Sequence, residues 1–213
     1  FDLALFKWGC HTLLKASKRL GINDPLIPQW KRVVNELVDF PADEHGFRLG
    51  SNQSSSPRHR HFSNLLMIYP LYLVNVEQQG SMEVLQASYD RAHSINGLPA
   101  MVQSHAGPIG AALGQGDTVL EGLKRLQGNL FPNGMWYNNP CLESSLGMAN
   151  IVQNMLIQSW TDPAVKESGP IRIFPATPSA WKDVEFRDLR TEGAFLVSAK
   201  RTNGRTQWVR IKS

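Results

Sequence analysis

The sequence predicts a mainly helical chain that gives way to an antiparallel β module. Apolar residues recur on a helical period through most of its length, and the period changes to alternation of apolar and polar from about residue 170. In "TNGR" (Thr202 to Arg205) an Asn-Gly pair stands where a tight hairpin turn needs positive φ. Helices of similar length separated by loops of unequal length favour a helical barrel or solenoid over a four-helix bundle, although no short repeat is visible.

The first helix spans residues 2 to 20, with Lys18 and Arg19 in its last turn and Gly21 as a favourable ending. A turn at "NDP" leads to a second, about 27 to 38, carrying Trp30, Val33, Val34 and Leu37 at i, i+3, i+4 and i+7, so the two are expected to pair antiparallel. Residues 39 to 60 have no sustained period and are rich in Gly, Ser, Asn and Pro, as a long loop would be. The stretch "RHRHFSNLLMIYPLY" is expected to run from that loop into an apolar helix interrupted near Pro70. Further helices fit about 81 to 95, 99 to 113, 118 to 127 and 144 to 160, seven in all. Ser81 and Asp117 are candidate N-caps, and Val119, Leu123 and Leu126 share one face. Strands are expected in "IRIF", "VEFRDL", "AFLVSAKR" and "TQWVRIKS". So few strands would leave an edge exposed, from which more chain is expected after Ser213. The absence of an initiating Met and a start directly on a helical pattern suggest that Phe1 lies inside a larger protein.

The 213 residues, 42% apolar and 19% charged, describe a globular chain with a sizeable core. No run approaches the roughly 20 apolar residues that a membrane-spanning helix needs. A net charge of +4 would permit nucleic-acid binding, but the basic residues are scattered, cluster only in "PRHRH", and belong to no nucleic-acid motif. Cys10 and Cys141 have neither metal-ligand spacing nor the density of a disulfide framework. No phosphate loop or serine nucleophile elbow is present, since "GQG" (114–116) lacks the required spacing and preceding strand. No cofactor is expected.

Two stretches concentrate the groups that could carry chemistry. "HRHFSN" places His59, Arg60, His61, Ser63 and Asn64 at a loop-to-helix entry, and this mixture of donors and acceptors suits a polyhydroxylated ligand. On composition alone the same residues read more readily as a solvated basic loop with a capping Ser or Asn. The His-x-His pair has no further ligand at a supporting spacing, so no metal site is expected. In "NNPCLESSLG" Glu143 opens a long apolar helix, where the macrodipole alone would favour a carboxylate by roughly 0.3–1 kcal/mol. Trp136, Tyr137, Asn138 and Asn139 just upstream offer the aromatic faces and amides that bind a sugar ring. Glu44 and His45 in "DEHG" are expected in solvent, and His105 is expected to cap or pack.

"HRHFSNLLMIYP" resembles the HRHLSHLYGLYP stretch of family-95 glycoside hydrolases, the α-L-fucosidases and α-L-galactosidases. Other landmarks follow in the family's order. "FDLALFKWGCHTLLKASKRLGINDPLIPQWKRVV" resembles its helix pair, "ESSLGMANIVQNMLIQSW" its DGNFGGTAGIAEMLLQS helix, and "IRIFPATPSAWKDVEFRDLRTEGAFLV" its LLPALPSAW segment. The resemblance spans nearly the whole chain and is patchy between about 80 and 130. It implies the later helices of an (α/α)6 catalytic barrel over residues 1–165, and the start of a C-terminal β-sandwich over 166–213. It also implies inverting, exo-acting hydrolysis of a terminal α-L-fucosyl or α-L-galactosyl residue, in a secreted or periplasmic protein.

On this resemblance Glu143 falls where the family has its general base. His59, Arg60 and His61 match the sugar-binding HRH, and Asn64, Trp136 and Asn139 complete the implied substrate contacts. The general acid would lie ahead of the part matched by Phe1, supplied by an N-terminal portion or another chain that completes the barrel. Departures are specific: Glu143 replaces Asp, Ser144 and Ser145 replace Gly-Asn, Asn64 replaces His, and "LPAMVQSHAGP" stands where the family is rich in Trp. A carboxylate moved by about 1 Å can change the rate about 100-fold. The departures imply a divergent branch that takes another sugar or has lost catalysis. A carbohydrate-binding barrel without activity is the alternative from a different class, and a helical-toroid polysaccharide lyase is a third reading.

Overall fold

The computed structural model describes residues 1–53, 61–94, 100–128, 130–135, 142–164 and 168–213. Among these are six α-helices and small antiparallel sheets, so the chain is mainly helical with a β part. It divides into two compact units, one of Phe1–Ala92 with Thr161–Gly169, the other of His93–Trp160 with Pro170–Ser213.

The first unit opens with α1 (Asp2–Leu20), which has Asp2 in its first turn and Lys18 and Arg19 in its last, each sign placed to oppose the helix dipole. Gly21 ends it with φ 66°; its N–H donates to Lys18 O and that of Ile22 to Ser17 O, which satisfies two terminal carbonyls. α1 packs against α2 (Ile27–Glu36), which starts with Pro28 in its first turn. The predicted stripe of α2 is only half-buried.

The expected long loop contains a hairpin, β1 (Ala42–Asp43) with β2 (Gly46–Phe47). The Asp43 carboxylate accepts from His45 N–H, and Gly46 turns the chain at φ 97° directly against Ser88, where a Cβ would lie 2.5 Å from that residue's backbone. Residues 54–60 of that loop lie outside the described residues.

The helix expected after His61 is not formed. Ser63–Leu65 make one 3-10 turn, entered through Phe62 at φ 45°, and hydrogen-bonded turns follow to Tyr72 at φ 50°. Pro70 has no N–H to donate and restricts the residue before it, so the apolar run folds into turns that still bury Leu65, Met67, Ile68 and Leu73. α3 (Met82–Ser94) then buries Leu85, Ser88 and Tyr89. Ser81 has its carbonyl at the helix start, accepting from Leu85 N–H, but its hydroxyl donates backward to Asn75 O and Gln78 O and so does not cap.

In the second unit α4 (Ala100–Ala112), α5 (Gly116–Gln127) and α6 (Leu142–Leu156) pack on one another. Their core holds Ala111, Val119, Leu123, Leu126, Ile151 and Met155, which includes the whole predicted face of α5. α4 and α6 approach closely because both offer glycine: a Cβ on Gly107 would lie 2.4 Å from the Ile151 side chain, and one on Gly147 2.5 Å from Ser104 Oγ. Asp117 is in the first turn of α5 and not at its cap. Its carboxylate instead accepts from Ser179 N–H and Oγ–H at 2.8 and 2.9 Å, fastening a distant loop to the helix start.

α6 stops four residues short of its expected end, since β3 (Ile157–Gln158) pairs with β4 (Arg172–Ile173). The Gln158 amide donates to Ala111 O and its carbonyl accepts from Trp160 Nε1–H, so side-chain partners divert the chain from the helix. A three-stranded antiparallel sheet follows, β5 (Val184–Arg190), β6 (Leu196–Thr202) and β7 (Arg205–Lys212), in that order. Asn203 and Gly204 turn the last hairpin at φ 50° and 74°, as their sequence predicts. Phe186, Val197 and Ala199 bury one face of the sheet with Leu156, Ile157 and Phe174.

Candidate functional site

Glu143 lies in the first turn of α6 with its side chain exposed. The next two residues fix its place. Ser144 is fully buried, and Ser145 Oγ–H donates to Gly134 O, tying the helix start to the turn before it. That turn is closed by Phe131 N–H to Met135 O at 2.7 Å and by Asn133 Oδ1 accepting from Met135 N–H at 3.0 Å. The exposed carboxylate is thus carried on a helix end held by its neighbours.

His61 and Asn64, in the first unit, stand on either side of the Phe62 bend and meet opposite environments. His61 is exposed. Asn64 is 6% exposed, and its Nδ2–H donates to Phe47 O at 2.7 Å, so its amide holds the β1–β2 hairpin against the Ser63–Leu65 turn. Phe47 N–H is in turn accepted by Ser88 Oγ at 2.9 Å. His59, Arg60, Trp136 and Asn139 lie outside the described residues. Glu44 and His45 are exposed, as expected, 3.7 Å apart; His105 is exposed on α4.

Sequence reasoning passed over a buried polar group in the first unit. Asp162 is 5% exposed; its Oδ2 accepts from Asn75 Nδ2–H at 3.2 Å and Gln78 Nε2–H at 2.9 Å, and its Oδ1 from Ala164 N–H at 2.8 Å. His11 is buried as well, and its Nε2 has no hydrogen-bond partner among the described residues. Burial lowers the His11 pKa, and the charges of Lys7 and Lys15 lower it further against a smaller opposing effect of Asp162. A signal for His11 was present, since it lies seven residues after Ala4 on the buried stripe of α1. Asp162 had none, because its side-chain partners, Asn75 and Gln78, are more than eighty positions away.

Among the described residues no group of three or more His, Cys, Asp or Glu could hold a metal ion. No helix among them is long and apolar enough to cross a membrane. No protein-family model matches the chain, and no curated protein matches its sequence.

Proposed function

We propose that the chain is part of an inverting, exo-acting glycoside hydrolase in which Glu143 is the general base and His59, Arg60 and His61 hold a terminal sugar such as α-L-fucose or α-L-galactose. The observation that carries this reading is the exposed Glu143 carboxylate at an anchored helix start. It is supported by the ordered resemblance to the family-95 hydrolases described above. A general base must reach water without being consumed in an ion pair, and it needs a fixed position relative to the sugar. The Ser144 and Ser145 anchors supply the second condition.

In the reaction the base takes a proton from water as the water attacks the anomeric carbon, while an acid on the other side of the sugar protonates the leaving oxygen. Inversion sets the two carboxyl groups about 6.5–9.5 Å apart to admit that water. The resemblance places the acid ahead of the part matched by Phe1, so the other half of the site comes from an N-terminal portion or a partner chain that completes an (α/α)6 barrel. The protein would be secreted or periplasmic. Asn64 favours a second reading, a carbohydrate-binding barrel without catalysis, because the residue that replaces the family's His has its amide committed to Phe47 O.

The experiment is hydrolysis of a panel of aryl α-L- and β-D-glycosides by the longer protein and its Glu143→Gln variant. Cleavage of one glycoside, reduced at least about 1000-fold in kcat with little change in thermal stability, is expected for a base. Near-normal turnover by the variant would remove Glu143 from the mechanism. Sugar binding without cleavage of any panel member would leave the binding reading.

A further inference from the structure

Helix α1 buries Ala4 and His11 on one side and leaves an apolar seam in solvent on the other. Phe6, Leu13 and Leu20 recur every seven residues along that seam, and all three are exposed. Gly9 and Ala16 stand between them, three residues after Phe6 and Leu13. Ala16 is exposed, and a Cβ on Gly9 would meet nothing within 4 Å. Large and small side chains therefore alternate at the seven-residue spacing by which one helix seats against another.

The ends of the seam carry opposite charge. Asp2 is in the first turn of α1, and Lys18 and Arg19 are in its last. Lys7 and Lys15 lie off the seam by the helical period, so no charge stands between its ends. Beside the seam the Thr12 hydroxyl donates to Trp8 O at 2.9 Å, and a surface laid on it would leave no donor stranded there.

This order of sizes and charges is complementary to its own reverse. In an antiparallel pair of α1 helices Phe6 lies over Ala16 of the second copy, Leu13 lies over Gly9, and Leu20 reaches the far end at Asp2. Each contact occurs twice, as twofold symmetry requires. The same register sets the Asp2 carboxylate beside the Lys18–Arg19 turn of the other copy at both ends, and such charge matching fixes orientation. A parallel pair would instead meet Phe6 with Phe6, Gly9 with Gly9 and Asp2 with Asp2, which alternates crowded and empty layers and opposes like charges. The antiparallel copy is thus the occupant that both size and charge select.

We propose that the exposed face of α1 is a homodimer interface, on which a second copy of this chain packs its own α1 antiparallel with Phe6 seated over Ala16 and Leu13 over Gly9. The inference is independent of the reading of Glu143. A helix of 19 residues is about 28 Å long, so the pair buries less than the roughly 1,200 Å² of a stable complex. The dimer is therefore weak, with a dissociation constant on the order of 10–100 μM, and below that range the seam is open to solvent.

Sedimentation equilibrium of the full 213-residue chain, from about 1 to 500 μM, is expected to show a reversible monomer–dimer equilibrium. Phe6→Lys with Leu13→Lys is expected to leave a monomer throughout, with an unchanged far-ultraviolet circular dichroism spectrum because both side chains are exposed in the monomer. Ala16→Leu fills the space that Phe6 needs and is expected to weaken dimerisation at least about tenfold. Adding Phe6→Ala to Ala16→Leu exchanges large for small and is expected to return the dissociation constant to within about threefold of the original, which only the antiparallel register predicts. A monomer at every concentration overturns the inference, as does an association that Ala16→Leu strengthens, which would mark unspecific apolar sticking. A longer protein that stays monomeric over the same range also overturns it, by placing an N-terminal portion of its own on the seam. None of these outcomes touches the hydrolysis assigned to Glu143, which is measured separately.

Discussion

His11 shows at the residue scale how burial sets a chemical property. Its ring lies on the covered stripe of α1, its Nε2 lacks an acceptor among the described residues, and Lys7 and Lys15 repel a second proton, so the folded protein holds the neutral form to lower pH than the unfolded chain does. Below the ordinary histidine value of 6.5 the unfolded chain therefore binds more protons, and stability falls with falling pH. The melting temperature is expected to decline from pH 7 toward pH 5, and His11→Leu is expected to flatten that part of the profile. An unchanged slope in the variant would assign the acid sensitivity to other groups. Glu143 was legible as a candidate because a lone carboxylate at a helix start can be read locally. The structural commitment of Asn64 was not, since the carbonyl it serves belongs to Phe47 on another element.

At the scale of elements, Ser88 links the β1–β2 hairpin to α3. Its hydroxyl donates to Val84 O at 2.6 Å and accepts from the buried Phe47 N–H at 2.9 Å. Ser88→Ala leaves that N–H without a partner and is expected to cost about 1–3 kcal/mol, seen as a lower denaturation midpoint with unchanged denaturant slope. A loss below about 0.3 kcal/mol would mean that water replaces the hydroxyl. Elements specified by their own residues were readable: Gly21 after Lys18 and Arg19 ends α1, and Asn203-Gly204 turns the last hairpin. Those decided by distant partners were not. The apolar run around Pro70 keeps its burial without its helix, and Ile157 and Gln158 leave α6 because Ile173 and Arg172 pair with them.

Across the whole molecule, apolar side chains divide between covered cores and open surface. Phe6, Leu13 and Leu20, spaced by seven along α1, are 64%, 44% and 69% exposed, and Phe1 and Val38 are exposed as well. Uncovered area of this kind is unusual for a self-sufficient surface. The isolated chain is expected to enhance anilinonaphthalene sulfonate fluorescence under native conditions, and Phe6→Lys with Leu13→Lys is expected to reduce the enhancement at least about twofold. Dye emission equal to that in buffer would show these side chains to be shielded in solution. The mainly helical character and the late β part were legible from the change of period, whereas the division into two units was not, because Thr161–Gly169 returns to residues far earlier in the chain.

That return has a consequence for the order of events on the ribosome. Asn75 and Gln78 emerge long before their acceptor, Asp162, which follows them by 87 and 84 positions. Until it arrives their amides have no native partner in it, and the first unit must wait, exposed to proteases and chaperones, while α4, α5 and α6 are made. The loop closed by Asp162 adds little to its equilibrium cost by being long, because closure entropy grows only logarithmically, but it makes completion of the first unit a late step in biosynthesis.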